Sequence, residues 1–509
     1  MLDAISIPSS PLKRPTSKVS APPDSLPSFI LGPANRSYKH QYANIYFIRL
    51  RKLRGFVEEN ARERWQRVNG NPVMVPRVLE VKKGELCWIV GTVYMDMPLK
   101  PNILEDIGKD FSIPPPPPPK KYCSIEDSIV LEDESGRISL VGDRLKREQF
   151  VTGIIMAALG IETPDGEFEV VDVCFAGMAP HVQLDVGADD EDKMNVDESA
   201  AGPSHSKDPI TSGSWIALLS GLELSTSYPP SSETELHLQL LIEHIMAESG
   251  GLEDQVSGSQ ISRVIIVGNS MLVGEDYLKS RRNPTSGPPP NPLASPATST
   301  FSKVLQEIAL AVPIHLLPGA SDPSGTILPQ QPMPRAMFGE VRRYENFNCE
   351  TNPTWLVVDS QALLAISGQT LDDMYKYLET NDRLTVATRT LDWRHMAPTA
   401  PDTLWCHPYP TQDPFILTST PHIYVIGNQP SFATTIHTSA VPTASGEVKS
   451  SGSRKRTRDG NPPESEVRCR IILLPKFSES ATLVLVHTGT LECKTIQVGV
   501  GAGLLPQNI

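Results

Sequence analysis

Three apolar runs end in short polar tips: Val264–Val267 gives way to Gly268 and Asn269, Pro313–Leu317 to Pro318, Gly319, Ala320, Ser321 and Asp322, and Ile423–Ile426 to Gly427, Asn428, Gln429 and Pro430. In open α/β sheets ligands sit beyond the carboxyl ends of strands, so these tips are where an active site would form. The chemistry such tips serve on a two-sheet sandwich is phosphoester hydrolysis by two metal ions held about 3.5–4 Å apart. Hard cations there need carboxylates, imidazoles and an amide supplied by several strand ends at once. Those residues are mostly missing. Ser220, Gly221, Leu222 and Glu223 follow an earlier strand without an Asp-x-His, Asn269 stands where an Asp is needed, and Asn428 and Gln429 replace the imidazoles of a Gly-His-x-His tip. Asp322, His395 and His407 remain as candidate ligands, and three scattered groups do not make a binuclear cage. Asp322, followed by Pro323, reads as a turn residue, and His395, in Trp393-Arg394-His395, as a structural histidine. With no G-x-S-x-G elbow, P-loop or G-x-G-x-x-G, the expectation is no catalytic residue, no metal and no cofactor.

The elements that hold these tips alternate. Trp215–Leu219 is a predicted strand, Ser232 with Glu235 reads as a capping box opening a helix through Met246, and Ile261–Val267 is a buried strand. After a Pro- and Ser-rich insert at 281–299, Phe301, Val304, Leu305 and Ile308 share a helix face before the strand that ends at Pro318. This βαβαβ order predicts a mainly parallel sheet covered by helices. Trp355–Val358 and Leu363–Ile366 read as a hairpin, Leu371, Met374, Tyr375 and Leu378 as a helix, and Arg470–Leu474, Thr482–His487 and Thr490–Val498 as a C-terminal β-meander. The sum is a two-sheet sandwich with outer helices over 213–509, broken again by a polar insert at 443–465. Arg454, Lys455, Arg456 and Arg458 within that insert read either as a nuclear import signal or as a solvated loop.

Upstream the pattern differs. Residues 1–33 mix Ser and Pro with scattered hydrophobes and read as a disordered tail. Within 34–70, Tyr38, Tyr42, Ile45, Tyr46, Leu50, Leu53 and Val57 line one helix face, leaving Lys39, Arg49, Lys52 and Arg54 elsewhere, with Gly55 as an interruption. That helix either packs on a neighbouring domain with a solvated basic side or contacts DNA. Over 71–180 short strands dominate: Leu86–Met95, a hairpin through Asp133–Gly136, and a second from Phe150–Leu159 to Glu167–Phe175 through Asp165 and Gly166. With a helical piece at Ile103–Ile107, they suggest a small closed barrel such as an OB-fold. Its hairpins carry Glu132, Asp133, Glu134, Glu162 and Asp165, which favours docking of protein over binding of single strands. Pro114–Pro119 reads as an extended polyproline loop. An acidic linker with Asp189, Asp190, Glu191 and Asp192 spans 181–212.

The 48 prolines, roughly twice the usual share, fit compact regions joined by polar loops. A formal charge of −13 opposes broad wrapping of nucleic acid. Seven dispersed cysteines without a C-x-x-C pair suggest reduced thiols in an intracellular chain, and no apolar run approaches the roughly 20 residues of a membrane helix.

Several stretches carry a resemblance: QYANIYFIRLRKLR, VGTVYMDMPLKPNILEDI, VLEDESGRISLVGD, PGASDPSGTILPQQPMPRAMF, RHMAPTAPDTLWCHPYPTQDPFIL and PHIYVIGNQPSF. From about Arg36 to about Val498 the chain resembles the small (B) subunits of DNA polymerase delta, within the polymerase alpha/delta/epsilon B-subunit family. The family pattern has an acidic residue after Pro-Gly in the third tip, where Ala320 stands here. The resemblance implies an α+β multidomain fold, an OB-fold followed by an inactive calcineurin-like phosphodiesterase sandwich. It further implies a non-catalytic nuclear subunit without cofactor. Such a protein links the C-terminal domain of the DNA polymerase delta catalytic subunit to a third subunit and meets DNA mainly through the complex. A residual metallophosphoesterase and a single-strand-binding barrel are the competing classes.

Overall fold

The structure, a computed structural model, describes residues 8, 10–33, 37–101, 119–184, 213–225, 231–249, 251–272, 296–442, 464–499 and 507–508. The expected helix at Ile103–Ile107, Pro114–Pro118 of the proline run, the acidic run Asp189–Asp192 and the basic run Arg454–Arg458 lie outside the described residues.

The first described segment overturns an expectation. Residues 10–33 do not hang free as a tail but run across the sandwich. The Arg14 guanidinium donates to the carbonyls of Ile245, Gly258 and Ile261 at 2.7, 3.0 and 2.6 Å. Strand β1 (Val19–Ser20) pairs antiparallel with the edge of a sheet at Val357 and Val358, and Leu26 and Phe29 are buried. Two apolar anchors and one arginine suffice because the backbone finds hydrogen-bond partners along the way. Arg14→Ala is expected to loosen this strap. Faster hydrogen exchange at the Asp359 amide, which donates to Lys18 O, with unchanged exchange in the β-barrel, is the readout.

Helix α1 (Asn44–Trp65) buries Ile45, Leu50, Leu53, Val57, Ala61 and Trp65 at spacings of three to five and runs straight through Gly55. Tyr38 and Tyr42, expected on the buried face, precede the helix and are exposed. Arg49, expected in solvent, is fully buried. The helix covers one outer side of a barrel formed by β2 (Val73–Met74), β3 (Leu86–Asp96), β4 (Ser128–Glu132), β5 (Arg137–Val141), β6 (Ile155–Glu162) and β7 (Phe168–Cys174). Their order is β2-β3-β4-β5-β7-β6, and β3 also pairs with β6, which closes the cylinder. The long β3 is buried on both faces, by the barrel interior and by α1, so it lacks the alternation that β5 keeps. The β4–β5 turn is fixed by Asp133, whose carboxylate accepts from the amides of Ser135 and Gly136. The second hairpin begins at Ile155 rather than Phe150, because Gly153, at φ +93°, turns the chain just before it. Beyond the barrel, His181–Leu184, expected as linker, stays packed: His181 stacks on His422, and Val182 is buried.

The remaining strands form two sheets. The first holds β8 (Trp215–Leu219), β10 (Ile261–Val267), β12 (Ile314–Leu317) and β13 (Phe347–Cys349), all parallel, followed on the β8 side by β19 (Thr482–His487), β20 (Cys493–Gln497) and β21 (Gln507–Asn508). The second runs β1-β14-β15-β16-β18-β17, with β14 (Thr354–Val358), β15 (Gln361–Ile366), β16 (Ile423–Gln429), β17 (Ala433–Pro442) and β18 (Glu464–Pro475). Two-residue strands β9 (Leu224–Ser225) and β11 (Met271–Leu272) pair beside the first. Side chains such as Leu218, Ile265, Leu363, Val425, Ile472 and Val484 interlock between the sheets and make the sandwich core. Each fully buried aliphatic side chain of this kind contributes about 1.5–3 kcal/mol.

Three details depart from expectation. The C-terminal runs are not one meander: β18 sits in the second sheet and β19 in the first, because the turn at Lys476–Ala481, pinned by buried Phe477, carries the chain across. Helix α2 (Ser232–Met246) is capped by Ser231, whose hydroxyl accepts from the Thr234 amide, not by Ser232. Both inserts end earlier than predicted, since a helix begins at Pro296 and β18 at Glu464.

Helices α2, α3 (Leu252–Ser259) and α4 (Pro296–Ala311) lie outside the first sheet. Outside the second lie α5 (Gln369–Tyr377) and α6 (Arg383–Asp392), and they share one continuous apolar core with the barrel interior. No described helix is long and apolar enough to cross a membrane.

Candidate functional site

The tips of both sheets meet at one end of the sandwich, where an active site was expected. Asn269 and Asn428 take left-handed backbone at φ +53° and +59°, a conformation asparagine tolerates better than most residues. The Asn428 side chain donates to Ser367 O at 2.7 Å and Val267 O at 3.1 Å, and its amide donates to the Ser220 hydroxyl. One residue, through its side chain and its backbone amide, thus ties the tips of β8, β10, β15 and β16. Asn269 accepts from the Ser321 amide at 3.1 Å. Gln429 donates to Gly427 O and accepts from Arg383, which also pairs with Asp372.

Three amides that drew no attention in the sequence complete the network. Asn352 donates to Gln330 at 2.7 Å, to the Ser367 hydroxyl and to Gln369, and accepts from the Ser367 amide. Gln330 in turn donates to Gly319 O at 2.9 Å. The only local hint was the Asn352-Pro353 step, a turn signal without chemistry. Gly368 is required here: at φ +101° any Cβ would lie 2.2 Å from Gly427 O.

Asp322 is the carboxylate of this cluster, and it faces inward. Its two oxygens accept from the amides of Met271 at 2.8 Å and Gly319 at 2.7 Å, which staples the β10 and β12 tips together. Burial pushes its carboxyl up to about 6, against the lowering effect of these amides. His395 lies elsewhere, wholly buried where α1, the barrel and the sandwich join. It donates through Nε2 to Asp413 at 2.9 Å and accepts at Nδ1 from the Ala397 amide. Burial, then the charge of Arg49, lowers its imidazole to about 4, so it is neutral near pH 7. His407 packs edge-on against Tyr38 and Tyr409. The three candidate ligands therefore serve separate partners, and among the described residues no three His, Cys, Asp or Glu side chains converge on a metal position. Neutral carboxamides align loops by hydrogen bonds but lack the negative charge two hard cations demand.

Sequence reasoning missed the join itself. Arg49 donates to Asp413 at 2.8 Å, to Pro398 O at 2.7 Å and Ala400 O at 2.8 Å in the sandwich, and to Gly153 O at 3.1 Å in the barrel. Arg394 reaches the other way, to Gly177 O and Met178 O, with Phe56 of α1 against its guanidinium. Lys121 donates to the carbonyls of Tyr375, Leu378 and Thr380 at the end of α5. Barrel and sandwich are one body.

Both parts of this barrel-and-sandwich body are similar to subunits of DNA polymerases. Residues 41–173 match the DNA polymerase delta subunit OB-fold domain, and residues 216–434 match the B subunit of DNA polymerase alpha/epsilon. The chain is 34% identical to the DNA polymerase delta small subunit of Arabidopsis thaliana, covering 90% of each chain. It is 32% identical to that of Oryza sativa subsp. japonica, over 90% of this chain and 92% of the relative, and 30% identical to that of Saccharomyces cerevisiae, over 96% of both. The chain belongs to the DNA polymerase delta small-subunit family.

Proposed function

We propose that this chain is a non-catalytic scaffold of DNA polymerase delta, built on a calcineurin-like phosphodiesterase sandwich whose catalytic edge has been given over to structure. The observation that carries this reading is the use of the tips: Asn269, Asp322 and Asn428 hydrogen-bond neighbouring tips, and Gln429 bonds its own tip and Arg383. A rigid barrel–sandwich body then presents one composite face. On this reading the face holds the C-terminal domain of the polymerase delta catalytic subunit and a third subunit, DNA is met mainly through that assembly, and the place of work is the nucleus. The basic run Arg454, Lys455, Arg456 and Arg458 serves as the import signal.

Affinity purification of the full chain from its own cells tests the proposal. A polymerase catalytic chain is expected in stoichiometric yield, and its absence would overturn the scaffold. Metal found by elemental analysis together with phosphodiester hydrolysis would instead restore an enzyme.

A further inference from the structure

We propose that Ser17, in the strap that crosses the sandwich, is a phosphorylation site, and that its phosphoryl group locks the strap onto the Arg263 guanidinium. Arg263 belongs to β10 and is only 5% exposed. Its Nε donates to Ser17 Oγ at 3.1 Å and its Nη2 to Ser17 O at 3.2 Å. That Nε–Nη2 edge is a fork of the kind that grips carboxylates and phosphates through two parallel hydrogen bonds. Here it holds one serine by a neutral hydroxyl and a neutral carbonyl.

The other partners bring no charge either. Nη1 bonds His315 Nε2 at 2.7 Å, and since arginine can only donate, the ring carries its proton on Nδ1 and donates it to Glu350 at 2.8 Å. The Glu350 carboxylate is thus kept one imidazole away. Arg14, three residues before Ser17, is spent on three carbonyls, one of them Ile261 O in the same strand as Arg263. Among the described residues neither guanidinium meets a carboxylate at ion-pair distance, and burial pulls both below their ordinary range. A buried cation with neutral partners alone is costly. A dianion on Ser17 supplies the missing charge. One acid borders the site: Asp359 opposes a phosphate, but it is already held by the Lys18 amide and by the hydroxyls of Ser214 and Thr488.

The strap can also be reached. Ser17 is half-buried between exposed Thr16 and Lys18, and β1 pairs through only two residues. A segment held by so few backbone bonds opens at low free-energy cost. Once lifted, Lys13-Arg14-Pro15-Thr16-Ser17-Lys18 is a basic peptide, and Pro15 keeps Arg14 extended. Kinases select substrates by charge pattern, and an arginine three residues ahead of a serine suits a kinase whose substrate groove is acidic. There the bond from the γ-phosphorus of ATP to its bridging oxygen breaks as Ser17 Oγ bonds to phosphorus, ADP leaves, and the hydroxyl proton passes to the aspartate of the kinase. The lifted strap is the substrate, and the docked strap is the locked product. Thr16, one residue earlier and exposed, has no guanidinium partner among the described residues.

The test compares the full-length chain with the same chain in which Ser17 is genetically encoded as phosphoserine. Hydrogen exchange at the Asp359 amide, which donates to Lys18 O, should slow about tenfold or more, the effect of one charge-assisted hydrogen bond. By phosphorus NMR the phosphoserine should titrate below its ordinary second pKa of about 6, because a guanidinium favours the dianion. Arg263→Gln should abolish both effects. Should that variant not fold, phosphothreonine encoded at Thr16 takes its place and should change neither. Exchange that is unchanged or faster with phosphate on Ser17 overturns the lock, as does a phosphate that titrates at about 6 like one free in water, or a phosphate on Thr16 that slows exchange equally. Phosphopeptide mapping of the chain from its own cells should find Ser17 modified, and a peptide recovered there only without phosphate overturns the site. The inference is independent of the scaffold reading, which stands on co-purification.

Discussion

Arg49→Ala is expected to destabilise the chain by about 3–5 kcal/mol, the range for breaking a buried ion pair from one side. The guanidinium is wholly buried and spends its donors on Asp413 and on three carbonyls from two domains. Its loss leaves the Asp413 carboxylate in the interior with a neutral imidazole and the Phe415 amide as partners but no cation, and strips a donor from Gly153, Pro398 and Ala400. A lower thermal midpoint, with new protease cleavage between barrel and sandwich, is the expected outcome. A midpoint within a degree of the parent would refute the role assigned to Arg49.

The same triad sets an acid limit. The folded His395 imidazole sits near 4 against an ordinary 6.5, so between those values the unfolded chain holds more protons. Stability is therefore full above 6.5 and is lost as pH falls toward 4. Burial would raise Asp413, but His395 and Arg49 outweigh it and hold it below the usual carboxylate range. Its contribution is present above the ordinary 3.8 and is lost as pH falls further. In Arg49→Ala the histidine becomes the only cation available to Asp413. Its protonation is then favoured, and the loss of stability from pH 7 to 5 should shrink.

The strand tips were legible because their signals are local: β-branched runs stop at Gly268, Gly319 and Gly427, and amides stand where charged ligands belong. The barrel was legible from its turns. Arg49 was not, because a helical wheel assigns arginine to solvent, and what reverses that assignment is a carboxylate 364 residues away. The strap was hidden for a related reason. Leu26 and Phe29 have no period, and Arg14 finds its carbonyls in three segments beyond residue 244. The false meander came from reading sequence adjacency as pairing, where one buried phenylalanine, Phe477, moves the chain between sheets. Long-range polar partners, not apolar patterns, are what the sequence concealed.

Asp322→Ala is the second large effect expected, about 2–6 kcal/mol, since it orphans the buried amides of Met271 and Gly319 at about 1–3 kcal/mol each. Asp322→Asn should cost less, because one carbonyl oxygen still accepts while the new NH2 group faces an amide that also donates. The two variants separate by pH. The folded carboxyl sits near 6 against an ordinary 3.8, so between those values the folded chain holds more protons. For this group stability rises as pH falls through 6, opposite in sign to His395, and is lost as pH rises from 3.8 to 6. Asparagine has no proton to exchange, so Asp322→Asn should remove that component and make the acid loss set by His395 steeper. A metal ligand would behave otherwise: its replacement would abolish a metal-dependent hydrolysis and leave the midpoint of the metal-free chain unchanged or higher, through relief of the buried charge. A lowered midpoint with no activity to lose is what a staple between two strand tips requires.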